Sequence, residues 1–352
     1  MEYKTGLNTK DKVLLCLKNS TDFVSGETVS GQLHLSRMAV SACVKILRAE
    51  GYQIESVTGR GYKLLHSPDI LSAGEIACRC KDSARMESVC CLEETGSTNT
   101  VLLSSAMEHA PTGTVAVADM QTAGRGRMGR AFYSPKGHSV YLSYLIRPQT
   151  ISESSRNENL PAIDSSPSLY SPAAWTSLTS CAAVAVANAI ETVSSLRPRI
   201  KWVNDLYIEE KKITGILTQM DIEPESAHVR RIVIGIGVNA NGKNDDFPPE
   251  LQGIAGTLES ACGHPVSRSL LAAEMIIELD RMAFSWPACR DDFLKTYRRD
   301  CFVIGKNITV ITPLNPGRAA RALDITDDFA LRVQYEDGSC EDLNGGEIRI
   351  RF

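Results

Sequence analysis

Apolar residues at helical spacing mark three short helices near the start of the chain, and alternating residues mark a hairpin after them. In the third helix, Val40, Val44 and Leu47 recur at i, i+4 and i+7, which is the spacing of one buried helix face. Ser36 stands just before this helix, where a hydroxyl cap is favoured. The predicted helices are 12–18, 25–33 and 36–48, and the predicted hairpin pairs 52–57 with 61–65.

Two helices joined by a short turn and followed by a hairpin form a winged helix-turn-helix, a module that places its last helix in a DNA major groove. The helix-turn-helix runs from about Gly26 to Lys45. Five basic side chains are available for phosphate contacts: Arg37, Lys45, Arg48, Arg60 and Lys63. An alternative stays open, in which the hairpin serves protein contacts alone.

The rest of the chain alternates strands and helices and then changes to short strands. Strand-like runs occupy 114–120, 139–146, 200–203, 211–220 and 232–239, and helical runs occupy 173–193, 270–283 and 291–299. The helix at 173–193 is nearly uncharged, so we expect it to lie buried against the sheet. From 305 onward, short alternating runs with Asp-Gly and Asn-Gly turns predict a small β-barrel.

These patterns predict an α/β (α+β) protein made of three folded units. A winged helix-turn-helix at 1–66 is followed by a connector at 67–84, which is polar apart from one short apolar stretch. A central mixed-sheet domain at 85–302 and a C-terminal barrel at 303–352 complete the chain. Inside the central domain, residues 149–172 are rich in Ser, Pro and Asn, and we expect them to form a mobile surface insertion.

The composition narrows the classes of function. The chain has 352 residues, of which 43% are hydrophobic, and its formal net charge of −4 argues against a generally basic, nucleic-acid-coating surface. Residues 1–12 are polar and no run approaches 18 apolar residues, so a cytoplasmic protein without a membrane partner is expected. Eleven cysteines without disulfide spacing indicate reduced thiols, and Cys78-x-Cys80 does not match a zinc-site spacing.

The segment Gln121 to Arg130 holds three glycines and three arginines in its last seven residues, between two predicted strands. Glycines let backbone N–H groups approach a ligand, and arginine guanidiniums suit phosphate or carboxylate oxygens. The spacing matches G-x-G-x-x-G, yet a dinucleotide site requires a helix next, and residues 131–137 indicate a turn. We therefore expect a site that binds a nucleotide or an acyl phosphate.

Four shorter signatures accompany this loop. Ser97-Thr98-Asn99 precedes a predicted helix, so its hydroxyls are candidates for a helix cap or for a ligand at the helix N-terminus. Two more lie in a predicted hairpin: Lys201-Trp-Val-Asn-Asp205 and Lys212-x-x-Gly215. In the fourth, Gly235-x-Gly-x-Asn239, the glycines are expected to interrupt a strand where another group packs close, and the Asn239 amide can contact a base edge.

In their order and spacing, the five signatures resemble those of the biotin protein ligases, over about residues 85–300. The resemblance implies a catalytic domain of the biotin/lipoate ligase type and an SH3-like C-terminal barrel. It implies that biotin and ATP form biotinyl-5′-AMP and pyrophosphate, and that biotin then passes to one lysine of a biotin carboxyl carrier protein. ATP and Mg²⁺ are the implied cofactors, with no tightly bound metal.

The same resemblance assigns roles to residues of the five signatures. Arg125, Arg127 and Lys212 neutralise charge on the reacting phosphate, and Asp205 helps to hold Mg²⁺ and to take the proton of the incoming lysine. The implied biotin-binding residues are Ser97, Thr98, Asn99, Gln121, Gly124, Arg125, Gly126, Arg127, Lys212 and Gly215. The implied ATP- or adenylate-binding residues are Arg127, Lys201, Asn204, Lys212, Asn239 and Phe132.

The winged domain adds a second implied activity, the repression of biotin genes. Biotinyl-AMP is expected to promote a homodimer whose two winged domains bind a palindromic operator. The resembling repressors usually carry a lysine in the middle of the third helix, where this chain has Ala42-Cys43. Three alternatives stay open: a ligase whose wing is idle, a lipoate-type ligase, and a biotin sensor that does not catalyse.

Overall fold

The computed structural model describes residues 4–80, 84–104, 107–148, 171–312 and 315–350. The predicted insertion at 149–172 therefore lies outside the described residues, apart from its last two. The described residues form an N-terminal helical unit with a two-stranded wing, a seven-stranded central sheet and a five-stranded C-terminal sheet.

The N-terminal unit has the arrangement of a winged helix-turn-helix. Its elements are α1 (Thr9–Lys18), α2 (Gly26–Leu33), α3 (Arg37–Ala49), β1 (Gln53–Val57) and β2 (Gly61–His66). Asn8, Ser25 and Ser36 each accept a hydrogen bond from a backbone N–H of the first turn, so all three helices begin at a side-chain cap. The apolar faces of these elements form a core separate from the main one.

The central sheet is mixed. Its strands are β3 (Val89–Thr95), β4 (Val115–Gln121), β5 (Ser139–Ile146), β6 (Arg199–Lys201), β7 (Asp205–Ile208), β8 (Lys211–Ile222) and β9 (Val229–Asn239). They lie in the order β3-β4-β5-β9-β8-β7-β6, with β3 parallel to β4 and the remaining pairs antiparallel. All residues of β5 are buried, because helices cover both faces at the centre of the sheet.

Helices pack on both faces of this sheet. They are α4 (Ala73–Ala77), α5 (Thr98–Leu103), α6 (Leu178–Ser194), α7 (Pro249–Gln252), α8 (Leu258–Cys262), α9 (Arg268–Phe284) and α10 (Arg290–Asp300). Val101 and Leu102 of α5 pack in a small core on one face, whereas α6 and α9 pack in the main core on the other.

One prediction about this region needs correction. The single helix predicted at 173–193 splits into a 3₁₀ turn at Pro172–Trp175 and the helix α6, because Ser171 caps the turn separately. The predicted connector at 67–84 contains α4, whose five residues are all buried, and its Ile76 belongs to the main core. By length and composition, Pro172–Ser194 is apolar enough to cross a membrane, and 72% of its most apolar window is buried inside the protein, as in a core helix.

The C-terminal sheet is antiparallel and matches the predicted strand-and-turn pattern closely. Its strands are β10 (Asn307–Thr312), β11 (Asn315–Ile325), β12 (Leu331–Tyr335), β13 (Cys340–Leu343) and β14 (Glu347–Ile350), in the order β13-β12-β11-β10-β14. The Trp202 indole N–H donates to the Phe329 carbonyl at 3.1 Å. This contact joins the end of the central sheet to the barrel, and Trp202 is buried as a core residue.

Candidate active site and DNA-binding face

A cavity of about 530 Å³ lies where the loop 121–133, the start of α5 and strands β7 to β9 meet. Its wall continues through the segment 247–255 and through residues 346–349, around the start of β14. Every residue that the sequence assigned to biotin, ATP or catalysis lines this cavity, with the exception of Gly124. Signatures that lie far apart in the chain therefore converge on one site.

Neutral polar groups form one end of the cavity. The Gln121 side-chain oxygen accepts from Thr98 N at 2.9 Å and from Thr98 Oγ1 at 3.2 Å. Ser143 Oγ lies 2.7 Å from Thr98 Oγ1 and 2.6 Å from Asn99 Oδ1. Asn99 Nδ2 donates to Gln219 Oε1 at 2.7 Å. This network holds the signature side chains in fixed orientations before any ligand arrives.

Ser97 occupies the N-cap position of α5, and its side chain makes no cap hydrogen bond. The first backbone N–H of the helix, that of Thr98, is instead satisfied by Gln121. The interpretation of Ser97 as a side-chain cap is therefore wrong. Ser97 is a buried residue that lines the cavity wall, where its hydroxyl is not engaged in capping the helix.

Three motif glycines make room for neighbouring groups. A Cβ on Gly235 would lie 2.1 Å from Asn99 Oδ1, and one on Gly237 would lie 2.4 Å from the Phe132 ring. Gly124 lies behind the cavity wall, where a Cβ would be 2.6 Å from the Phe132 carbonyl oxygen. The prediction of close packing is confirmed, whereas the predicted interruption is wrong because β9 continues through both of its glycines.

The glycine-arginine loop contacts two other parts of the molecule. Arg127 Nη1 donates to Asn204 Oδ1 at 3.0 Å, and its Nη2 donates to the Gly346 carbonyl at 3.0 Å. Arg130 Nη2 lies 2.6 Å from Glu347 Oε2. The loop is therefore held between the central sheet and the C-terminal barrel.

Positive charge is concentrated in the cavity wall. Arg125, Arg127, Lys201 and Lys212 all line it. Lys212 Nζ lies 2.7 Å from Asp205 Oδ1, so one cation is already neutralised by a carboxylate. Burial lowers the pKa of the Lys201 ammonium, and the Asp205 carboxylate offsets this only in part. The site thus holds excess positive charge that an anionic ligand would relieve.

The far end of the cavity is more apolar. Tyr133 and Phe247 meet edge to face with ring centroids 6.2 Å apart, and Ile254 is 53% exposed at the rim. Asn239 Nδ2 donates to the Gly256 carbonyl at 3.1 Å, which fixes this segment to the end of β9. A contact between Asn239 and adenine stays a prediction.

Acidic neighbours pair with most of the predicted DNA-contacting side chains. Arg37 Nη2 lies 2.8 Å from Glu27 Oε2. Asp22 lies 3.3 Å from Arg60 and 3.5 Å from Lys63, nitrogen to oxygen. These pairs are solvent-exposed and therefore weak, so their cations stay available to phosphates.

The other two predicted DNA-contacting residues, Lys45 and Arg48, have different surroundings. Lys45 is exposed on α3, whereas Arg48 is turned toward the wing. Arg48 Nε donates to the Ile54 carbonyl at 3.0 Å and its Nη2 donates to Ser56 Oγ at 2.6 Å. Arg48 thus holds β1 against α3 while it remains exposed, and its predicted phosphate contact stays a prediction.

Known proteins resemble both the domain that contains the cavity and the N-terminal winged unit. The profile of the Biotin/lipoate A/B protein ligase family matches residues 91–239, and an HTH domain profile matches residues 9–63. The Bifunctional ligase/repressor BirA of Bacillus subtilis (strain 168) is 33% identical over 330 residues, which is 94% of this chain and 94% of that protein. The chain belongs to the BirA family of bifunctional ligase/repressors. The predicted family is thereby confirmed.

Other relatives extend the comparison. The BirA of Escherichia coli (strain K12) is 31% identical over 272 residues, which is 77% of this chain and 76% of that protein. A biotin protein ligase from Aquifex aeolicus, solved in complex with biotin and ATP, has a TM-score of 0.58 at 21% identity and covers 75% of this chain and 98% of its own. The likeness to that structure supports the predicted fold class.

Sequence reasoning missed some groups of this BirA-family site. They are Ser143, Gln219, the rim residues Tyr133, Phe247, Leu251 and Ile254, and residues 346–349 around the start of β14, which follow the Asn344-Gly345 turn. Ser143 lies in an apolar strand and gives no signal by itself. The Asn344-Gly345 pair does predict a turn, but nothing in the sequence places that turn beside the glycine-arginine loop.

Proposed function

We propose that this BirA-family protein joins biotin to ATP, releases pyrophosphate, and transfers biotin from biotinyl-5′-AMP to a lysine of a biotin carboxyl carrier protein. The observation that carries this proposal is a single cavity with neutral polar groups at one end and cationic side chains in its wall. The neutral end, with Thr98, Asn99 and Gln121, suits a ureido ring that has both donors and acceptors. The cationic side chains suit a carboxylate and phosphates.

In the first step, a carboxylate oxygen of biotin attacks the α-phosphorus of ATP, and the bond from that phosphorus to pyrophosphate breaks. Both reactants are anions, so the barrier contains their mutual repulsion. Arg125, Arg127 and Lys212 oppose it, because their charges are fixed in the cavity wall before the reaction. The loss of one such donor costs about 3 kcal/mol, or roughly a hundredfold in rate.

In the second step, the carrier lysine attacks the acyl carbon of the adenylate, and AMP leaves. The attacking amine must first lose a proton. Asp205 is the carboxylate that we assign to this proton, because it lies in the cavity wall beside Lys212.

Mg²⁺ enters this proposal with the nucleotide. Two carboxylates line the cavity, Asp205 and Glu347, and each already pairs with a cation. Within the described ranges, no three Asp, Glu, His or Cys side chains come close enough together to hold a metal ion. Bound to the phosphates, Mg²⁺ would neutralise their charge, and Asp205 would be its nearest protein partner among the motif residues.

The winged domain supports a second activity, the repression of biotin genes. The protein would act in the cytoplasm, where biotinyl-AMP formation would favour a homodimer that binds a palindromic operator and represses biotin genes. Two features of the chain support this. Helix α3 is capped and has an exposed face beside the basic wing, and the same chain contains a cavity that suits an adenylate.

Thermal unfolding tests the substrate class. A ligand that binds the native state raises the melting temperature as its concentration exceeds the dissociation constant. Biotin should raise it, and lipoate and octanoate at the same concentration should not. A rise with lipoate alone would place the protein among lipoate-type ligases.

A further inference from the structure

Ser143 is a buried polar residue that does not line the cavity. It lies in the middle of β5 with no exposed surface, and its cross-strand neighbours are Ala116 and Gly235. A buried hydroxyl is costly unless it is hydrogen-bonded. Both of its hydrogen-bond partners, Thr98 and Asn99, face the cavity.

The hydrogen-bond inventory shows what Ser143 does for them. A serine hydroxyl has one hydrogen to donate and two lone pairs, whereas the oxygen of an asparagine amide only accepts. Asn99 Oδ1, 2.6 Å from Ser143 Oγ, can only accept, so the Ser143 hydrogen satisfies that oxygen. Thr98 Oγ1 lies 2.7 Å from Ser143 Oγ and 3.2 Å from Gln121 Oε1, so these two oxygens compete for its own hydrogen. One buried hydroxyl thus links two ligand-facing side chains.

Gln219 holds the other half of the same amide. Asn99 Nδ2 donates to Gln219 Oε1 at 2.7 Å and to the Leu217 carbonyl at 3.4 Å, so both of its hydrogens are engaged. Gly235 has no Cβ where Asn99 Oδ1 lies, since a Cβ there would be only 2.1 Å away. What Asn99 presents to a ligand is therefore the remaining lone pair of its oxygen.

We propose that Ser143 and Gln219 are positioning residues that hold the Asn99 oxygen as an acceptor for a ureido N–H of biotin. This inference rests on the proposed function and deepens it, since it names the pair that sets the orientation of the amide. Neither residue touches the substrate. If the Asn99 amide were free to rotate by half a turn, its Nδ2 would face the ureido N–H of biotin. Two donors would then face each other and repel.

The test is a comparison of Michaelis constants in biotin-dependent pyrophosphate release. Ser143→Ala and Gln219→Met should each raise KM for biotin about fivefold to tenfold, the cost of one misplaced hydrogen bond. The KM for ATP and kcat at saturating biotin should stay within about twofold. Gln219→Glu keeps an oxygen acceptor for Asn99 Nδ2, so its KM for biotin should stay much closer to the wild-type value than that of Gln219→Met.

Thr218→Val is the matched control. Thr218 precedes Gln219 on β8 and hydrogen-bonds Thr179 Oγ1 at 2.8 Å through its own Oγ1. Its loss removes a hydrogen bond from the same strand without touching Asn99, so KM for biotin should not change.

A substrate analogue gives a second check. Desthiobiotin has the same ureido group without the sulfur atom, so Ser143→Ala should raise its KM by the same factor as the KM for biotin.

Several results would overturn the inference. An unchanged KM for biotin in Gln219→Met and Ser143→Ala would do so, as would an equal rise in KM for ATP or an equal effect of Thr218→Val. These outcomes are distinct from failure of the proposed function, because they require wild-type protein that releases pyrophosphate with biotin. Wild type that releases none would contradict the function itself.

Discussion

Arg130 and Glu347 join the glycine-arginine loop to the C-terminal barrel, with Arg130 Nη2 2.6 Å from Glu347 Oε2. Burial opposes ionisation of Glu347, but the hydrogen bond from Arg130 and its charge outweigh this and leave the pKa of the carboxyl lowered. A lowered pKa means that the pair stabilises the fold above the ordinary pKa of glutamate and that this stabilisation is lost as the pH falls through the lowered value. At neutral pH the pair is fully formed.

Glu347→Gln should therefore change nucleotide binding more than stability. Arg130 is 62% exposed, and ion pairs of such residues contribute about 0–1 kcal/mol to folding. We expect a melting temperature close to wild type and a KM for ATP raised about threefold to tenfold, because the loop loses one of its two contacts with the barrel. Glu341→Gln, on the same barrel, controls for the loss of a carboxylate, and an equal effect there would contradict the account.

Gly237→Ala should displace the Phe132 ring. A Cβ at this position would lie 2.4 Å from that ring, so the loop must move or the strand must shift. We expect a loss of about 1–3 kcal/mol in unfolding free energy, measured by denaturant titration, with weaker nucleotide binding. Combining it with Phe132→Leu should recover part of the stability. Gly253→Ala, where an added Cβ meets nothing within 4 Å, should be neutral.

Lys201→Met should stabilise the protein while it slows the reaction. Burial lowers the pKa of Lys201 from its ordinary 10.5, so the unfolded chain binds more protons than the folded one between the lowered value and 10.5. Wild-type stability therefore gains from rising pH in that window, and the advantage of the methionine variant should shrink there. Melting temperatures of both proteins from pH 7 to 10.5 measure this, and an advantage that grows with pH would refute it.

Asp22→Asn should strengthen DNA binding. The Asp22 carboxylate lies within 3.5 Å of Arg60 and Lys63, the basic pair of the wing, and it competes with phosphate for them. We expect affinity for duplex DNA to rise about threefold to tenfold at low salt and less at high salt, measured by fluorescence anisotropy. Asp292→Asn removes the same charge from α10 and should have no effect. Equal binding by both variants would count against the wing as a phosphate contact.

Local signals in the sequence were sufficient for most elements. Ser25 and Ser36 cap the helices they precede, and the strand predicted at 139–146 has those bounds. Each of these features depends on neighbours within a few residues. The five signatures also converge on one cavity, as their resemblance to a known family implies.

Contacts between distant segments could not be predicted in this way. Helix α4 is buried against α1 and the main core, although the connector in which it lies is mostly polar. Ser143 orients Asn99 from the middle of a strand whose residues on both sides of it, from Val140 to Ile146, are apolar or aromatic. Such placements depend on tertiary packing, for which no short pattern exists.

The most direct test of the central claim is pyrophosphate release with ATP, Mg²⁺ and biotin, in wild type and in Lys212→Met. Lys211→Met is the matched control, because Lys211 donates to the Gln252 and Gly253 carbonyls and does not line the cavity. We predict release in wild type with biotin but not with lipoate, a roughly hundredfold lower kcat in Lys212→Met, and near-normal release in Lys211→Met. No release by wild type with biotin, or equal rates in wild type and Lys212→Met, would contradict the account.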